Sequence, residues 1–172
     1  MNAITLLRQQ FESAHHSLES TVGDASPDVL NFNETNKAIP VGAAYAHSVL
    51  EEDILMSTML TNKEPIFKDA ESVGISEEIP SMEHWDQHEQ WYKTVKVDLP
   101  KFREYARQVY KATDEYLATL KDEDLDVEIE RPMIGKQNTA FMLTNFFLLH
   151  IANLTGEISA AKGIQGLKGY PF

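Results

Sequence analysis

Four stretches of this chain set apolar side chains three and four residues apart. That spacing commits most of its length to helices that bury one face against each other. The first runs from about Ala3 to Val22, with Ile4, Leu7, Phe11, Leu18 and Val22 on one stripe and Gly23 beyond its end. The second opens at Pro40 and carries Val41, Ala44, His47 or Ser48, Glu51 and Ile54 or Leu55 toward Asn62. The third is announced by Asp98 and Pro100 and continues through Leu99, Phe102, Ala106, Val109, Thr113, Tyr116 or Leu117, and Leu120. The fourth starts with Thr139 as its cap and reaches about Lys162. No repeated strand pattern competes with them, so the expected fold class is all-α, a four-helix bundle forming a single domain over residues 1–172.

The connections are unequal. Asp24 to Ile39 reads as a polar link, and Lys63 to Ser81, with Pro65, Gly74 and Pro80, reads as a long crossover. A crossover between helices two and three lets those two run parallel, which predicts an up-down-down-up order. A short helix is expected near Met82–Val97, capped by Ser81, with Trp85, Tyr92 and Val95 turned inward. Val127, Ile129 and Pro132 predict a local extended segment.

Composition narrows the function. Acids outnumber bases 27 to 15, for a formal charge of -12, a field that repels phosphate backbones and predicts no nucleic-acid partner. There is no cysteine, which removes disulfides, zinc-thiolate sites and a cysteine nucleophile, and the expected location is cytoplasmic. The start of the chain lacks the apolar run of a secretory leader. The most apolar region, Ala140 to Leu154, is interrupted by Thr144, Asn145, His150 and Asn153, so no membrane partner is expected. Apolar residues there cover more than one stripe of helix four, which predicts a homodimer with part of that helix in the interface.

His150 sits inside that apolar helix, where an unpartnered imidazole would cost about 1–3 kcal/mol. His47 also falls on an inward stripe. Glu51 lies one turn from His47 on the same face, and Asn153 and Glu157 follow His150. Two imidazoles and a carboxylate suit zinc, nickel or iron. They equally suit a hydrogen-bonded cluster without metal. The candidate metal ligands are therefore His47 and His150, with Glu51 and Asn153 as additional donors. His84 and His88 share a second helix face, but Glu83, Asp86, Gln87, Glu89 and Gln90 around them predict a solvated surface. His15 and His16 are expected to be partly exposed and without a role. The runs Glu51-Glu52-Asp53 and Asp122-Glu123-Asp124 read as solvated faces or caps, with Glu51 the exception. No nucleophile elbow or phosphate-binding glycine loop is present.

The ordered segments Ala46-His47-Ser48-Val49-Leu50, Tyr105-Ala106, Leu149-His150, Thr155-Gly156-Glu157-Ile158 and Gly163-Ile164-Gln165-Gly166 resemble the DinB/YfiT-like family over most of the chain. The resemblance implies a usually dimeric four-helix bundle with a metal site at one end. It assigns one metal-binding histidine to helix two and two to helix four, four residues apart. His47 and His150 match two of these positions, and Leu154 stands at the third. That departure implies either a degenerate two-histidine site in a non-catalytic or weakly metal-binding module, or a substitute donor, Glu51 being the best placed. Active relatives imply the alternative: a divalent-metal-dependent transferase using a small-molecule thiol as cosubstrate, or a hydrolase. With no cysteine of its own, the chain would take such a thiol as a small-molecule ligand.

Overall fold

The computed structural model describes residues 2–33, 38–81, 84–131 and 135–171, with the backbone alone of Trp85. It is mostly helical, with one small hairpin. Helix α1 (Ala3–Val22) is capped by Asn2, whose side chain accepts from Thr5 N, and Gly23 ends it at φ 56°. The link that follows is not wholly irregular: Ser26 caps a single turn, α2 (Pro27–Leu30). Helix α3 (Val41–Leu55) runs on into a π-helical turn, Met56–Thr61, closed by Asn62 in the left-handed region at φ 52°. The crossover contains α4 (Ala70–Val73) and α5 (Trp85–Thr94). The expected start of the latter at Met82 lies outside the described residues.

Asp98 caps α6 (Leu99–Thr119) as its position before Pro100 predicts. A short 3-10 turn, Asp122–Asp126, leads into the hairpin of β1 (Glu128–Arg131) and β2 (Gly135–Asn138). These strands are antiparallel, with Glu128 opposite Asn138 and Arg131 opposite Gly135. The expected extended segment is thus one arm of a hairpin; Pro132 lies outside the described residues. The last helical segment comprises α7 (Thr139–Phe141), a π-helical stretch (Met142–Leu148) and α8 (Leu149–Ile164). Its cap is Asn138, not Thr139: the Asn138 side chain accepts from Phe141 N at 2.8 Å.

The long elements pack as α1 on α8 and α6, and α3 on α8 and α6. Phe102 meets Tyr45 edge-on at 5.1 Å, and both are fully buried with Leu18, Leu50, Leu117 and Ile158. Helix α3 is buried on every side, with only Ile54 partly exposed along its length. Within the single chain it is thus α3, more than the fourth helical segment, that is enclosed all round. In the fourth segment Ile151, Leu154 and Ile158 face the core, whereas Phe141 and Leu149 are exposed. Among the described residues, no helix is long and apolar enough to cross a membrane.

Candidate metal centre

The site begins with a local fact. His47 and Glu51 are one turn apart on α3, and Nε2 of His47 lies 3.6 Å from Oε2 of Glu51. Because α3 has no wet face, both side chains are held inside, His47 at 2% and Glu51 at 9% exposure. Helix α8 packs along α3 and delivers His150, whose Nε2 lies 3.2 Å from the same Glu51 oxygen. The two imidazoles meet at 5.0 Å between ring centres, tilted by 67°. The side chain of His150 remains 33% exposed and forms the open edge of the group.

The third imidazole comes from elsewhere than helix four. His88, on α5, is buried and approaches His47 edge-on at 6.0 Å. Helix α5 packs against α3, with Trp91 and Val95 buried, and Trp91 Nε1 donates to the Glu77 carbonyl at 3.3 Å. Ligand atoms of His47, Glu51 and His88 all lie within 4.8 Å of one another. The expectation that His84 and His88 share a solvated face is therefore corrected. His84 is exposed at the start of α5, while His88 is buried once α5 packs down. Asp86, Gln87, Glu89 and Gln90, which suggested solvation, are exposed on the other sides of the same helix; Glu83 lies outside the described residues.

The remaining candidates fall away from the group. Asn153 is exposed and makes no side-chain hydrogen bond among the described residues. Leu154 is buried in the hydrophobic core. Glu157 is exposed but adds its charge to the surroundings of Tyr92. The Tyr92 hydroxyl lies 3.2 Å from Nδ1 and 3.3 Å from Nε2 of His47, and burial first, then Glu51 and Glu157, push its pKa up.

Electrostatics suit a ligand set. Burial, assisted by His150 and His88, lowers the His47 pKa to about 4 against the opposing pull of Glu51. Burial raises the Glu51 carboxyl, but the hydrogen bond from His150 and the histidine charges outweigh it, so its net shift is downward. At neutral pH His47 is thus a neutral imidazole and Glu51 an anion, the protonation states that coordinate a cation. Two or three imidazoles with one carboxylate, mostly buried, fit zinc, iron or nickel. Two of the three helices that carry the group, α3 and α8, have π-helical turns beside it, after Leu55 and before Leu149, a distortion often found at functional sites.

The rest of the acidic run is also inside, contrary to its reading as a solvated face. Glu52 accepts from Thr113 Oγ1 at 2.6 Å and pairs with His15 Nε2 at 2.9 Å, which buries His15 as well. Asp53 accepts from Ile66 N at 3.0 Å, Phe67 N at 2.7 Å and the Tyr105 hydroxyl at 2.8 Å. A run of three charges looks solvated in sequence; only the positions of α1, α6 and the crossover reveal a partner for each.

A crystal structure described as the conserved protein of a locus from Enterococcus faecalis has a similar fold. The TM-score is 0.81 over 96% of this chain and 99% of that one, at 18% sequence identity. Likeness at that identity concerns the fold alone. No family model matches the chain, and no curated protein matches it in sequence.

Proposed function

We propose that the chain is a divalent-metal-binding protein of the DinB-like kind, its four long helical segments ordered up-down-down-up around the crossover. His47, Glu51 and His88 hold the ion and His150 completes or gates the site at its open edge. The observation that carries this reading is the buried imidazole of His88, within reach of His47 and Glu51. His88 stands in for the donor that Leu154 withholds, which favours a working centre over a degenerate two-histidine module. When bound, a zinc, nickel or iron ion would supply Lewis-acid activation of a thiol or water.

The chain's own residues would then act around it. Glu51 would balance the cation's charge and stands 3.2 Å from His150 Nε2, and the Tyr92 hydroxyl lies within 3.3 Å of both ring nitrogens of His47. The part-exposed edge of His150 favours approach of a small molecule there, which is the basis for the thiol-transferase or hydrolase reading. A second reading, metal binding without catalysis, is favoured by the cavity beside Ser48, Glu51 and His150: it measures only 10 Å³, enough for about one water. A homodimer through the fourth helical segment belongs to the same proposal, supported by the exposure of Phe141 and Leu149. So does a cytoplasmic setting.

Zinc titration calorimetry of the full chain, with elemental analysis of the purified protein, tests the centre. The expected result is one equivalent bound, with His47→Ala and His88→Ala each weakening affinity by about tenfold or more, while His84→Ala has no effect. Unchanged affinity in His88→Ala would remove the reading.

A further inference from the structure

The seam between α3 and the fourth helical segment holds a polar feature that the ligand set leaves unexplained. Ser48 is 1% exposed, yet its hydroxyl makes no hydrogen bond among the described residues. Other buried helical hydroxyls behave differently: Thr21 and Thr155 each donate to the carbonyl one turn back, at 2.7 Å. Glu51 Oε1, one turn along the same face as Ser48, is likewise buried and without a hydrogen-bond partner. The other oxygen is the one that faces the imidazoles: Oε2 lies 3.6 Å from His47 Nε2 and 3.2 Å from His150 Nε2. The Glu51 carboxyl is therefore two-sided, and only one side belongs to these histidines.

Ser48 and Glu51 both line the 10 Å³ cavity between the two helices. Leu55, Phe146, Phe147 and Ile151 supply apolar walls, and His150 closes one side. Glu52 also borders it, but its oxygens already meet His15 Nε2 and the Thr113 hydroxyl. Purely apolar cavities stay dry, whereas a polar one takes up a water that finds about two to four partners. Without such a partner, two buried oxygens would each forgo a hydrogen bond, which native interiors rarely allow. A water can accept from Ser48 Oγ and donate to Glu51 Oε1, and the room suffices for about one water and nothing larger. Both helices are π-wound at this level, Leu55 preceding one such turn and Phe146 and Phe147 lying in the other. The seam thus departs from regular winding on both sides of the cavity.

We infer that one water molecule is a built-in part of this centre, bound between Ser48 Oγ and Glu51 Oε1. Held there, it occupies Oε1 and leaves Glu51 a single oxygen, Oε2, to offer a cation. Ser48 is then a positioning residue, which sets the tilt of the carboxyl through the water without touching the ion. That second step rests on the metal-binding reading. The water site does not, because its partners and its room belong to the metal-free chain. Nor does it depend on where protons sit, since water both donates and accepts.

The test starts from the full chain freed of metal. Its crystal structure should show an ordered water within about 2.5–3.0 Å of both Ser48 Oγ and Glu51 Oε1. In solution, NMR should detect magnetisation transfer from water to the ring protons of Phe147 on the cavity wall. A Ser48 hydroxyl turned back to the Ala44 carbonyl, or bonded straight to Glu51 with no water between, would overturn the site. Zinc titration calorimetry then compares the parent with Ser48→Ala, which keeps a good helix former and removes only the hydroxyl. Zinc affinity should fall by about tenfold or more while the backbone amide spectrum of the metal-free variant stays that of the parent. Equal affinity in the two proteins would overturn the positioning role. A parent that takes up no zinc would remove the metal reading and the positioning role with it, and the water site would then stand or fall on the metal-free measurements.

Discussion

Acidifying the metal-free protein should weaken it between about pH 6.5 and 4 through the buried ring of His47. His47 is 2% exposed, and its pKa falls from 6.5 to about 4 on folding, first through burial. The folded state therefore refuses a proton that the unfolded chain accepts. Stability from this group is complete above about pH 6.5, declines as the pH falls, and levels off below about 4. The corresponding loss is about 1 kcal/mol at pH 6, about 2 at pH 5 and about 3 at pH 4. Glu51 acts lower down. Its carboxyl is shifted downward from 4.5, so its contribution is present above that value and is lost only as the pH falls further. The interval between pH 6.5 and 5 thus isolates His47 from Glu51. Urea unfolding with a chelator present, at pH 7, 6 and 5, measures the decline, and His47→Gln should flatten it by about 2 kcal/mol. If the variant declines as steeply as the parent, the desolvated imidazole is not the cause and the reasoning fails.

Three further outcomes follow from the geometry. Asp53→Asn replaces an acceptor oxygen with a donor amide against two backbone N–H groups and the Tyr105 hydroxyl, and should cost about 2–4 kcal/mol in urea unfolding; a loss under about 1 would show that these bonds are not held in solution. Gly74→Ala adds a Cβ at φ 85° only 2.8 Å from Lys101 Cβ, and a loss of about 1–3 kcal/mol in thermal unfolding is expected, with no loss counting against the close approach of α4 to α6. Leu149→Glu places a charge on an exposed apolar residue of α8, and sedimentation should then report a monomer where the parent is a dimer; a variant that stays dimeric rules out that face.

The long helices were legible because their apolar spacing is a local property. Ile4, Leu7, Phe11 and Leu18, or Phe102, Val109 and Leu117, carry the same stripe in sequence and in space. The i, i+4 relation of His47 and Glu51 was legible for the same reason. His150 stood out because its neighbours are apolar. His88 did not, since Asp86, Gln87, Glu89 and Gln90 surround it and its burial depends on α5 packing against α3. Glu52 and His15 were illegible in the same way: each explains the other's burial, and they lie on different helices. Asn153 illustrates the opposite error. Its sequence distance from His150 suggested a shared face, but at this step along α8 the residue taken into the interior is Leu154.

The charged turn of α3 has a consequence for how the molecule comes apart. Successive helical residues are rotated by about 100°, so Glu51, Glu52 and Asp53 span about 200° and look out on three different walls. One wall is built by α8, another by α1 and α6, and the third by α6 with the crossover at Ile66 and Phe67. Withdrawing any one wall strands an anion in oily surroundings, a state steeper in energy than the loss of greasy contact alone. The segments are thereby yoked to a common hub, and the chain should melt in a single step, without first shedding an outer helix.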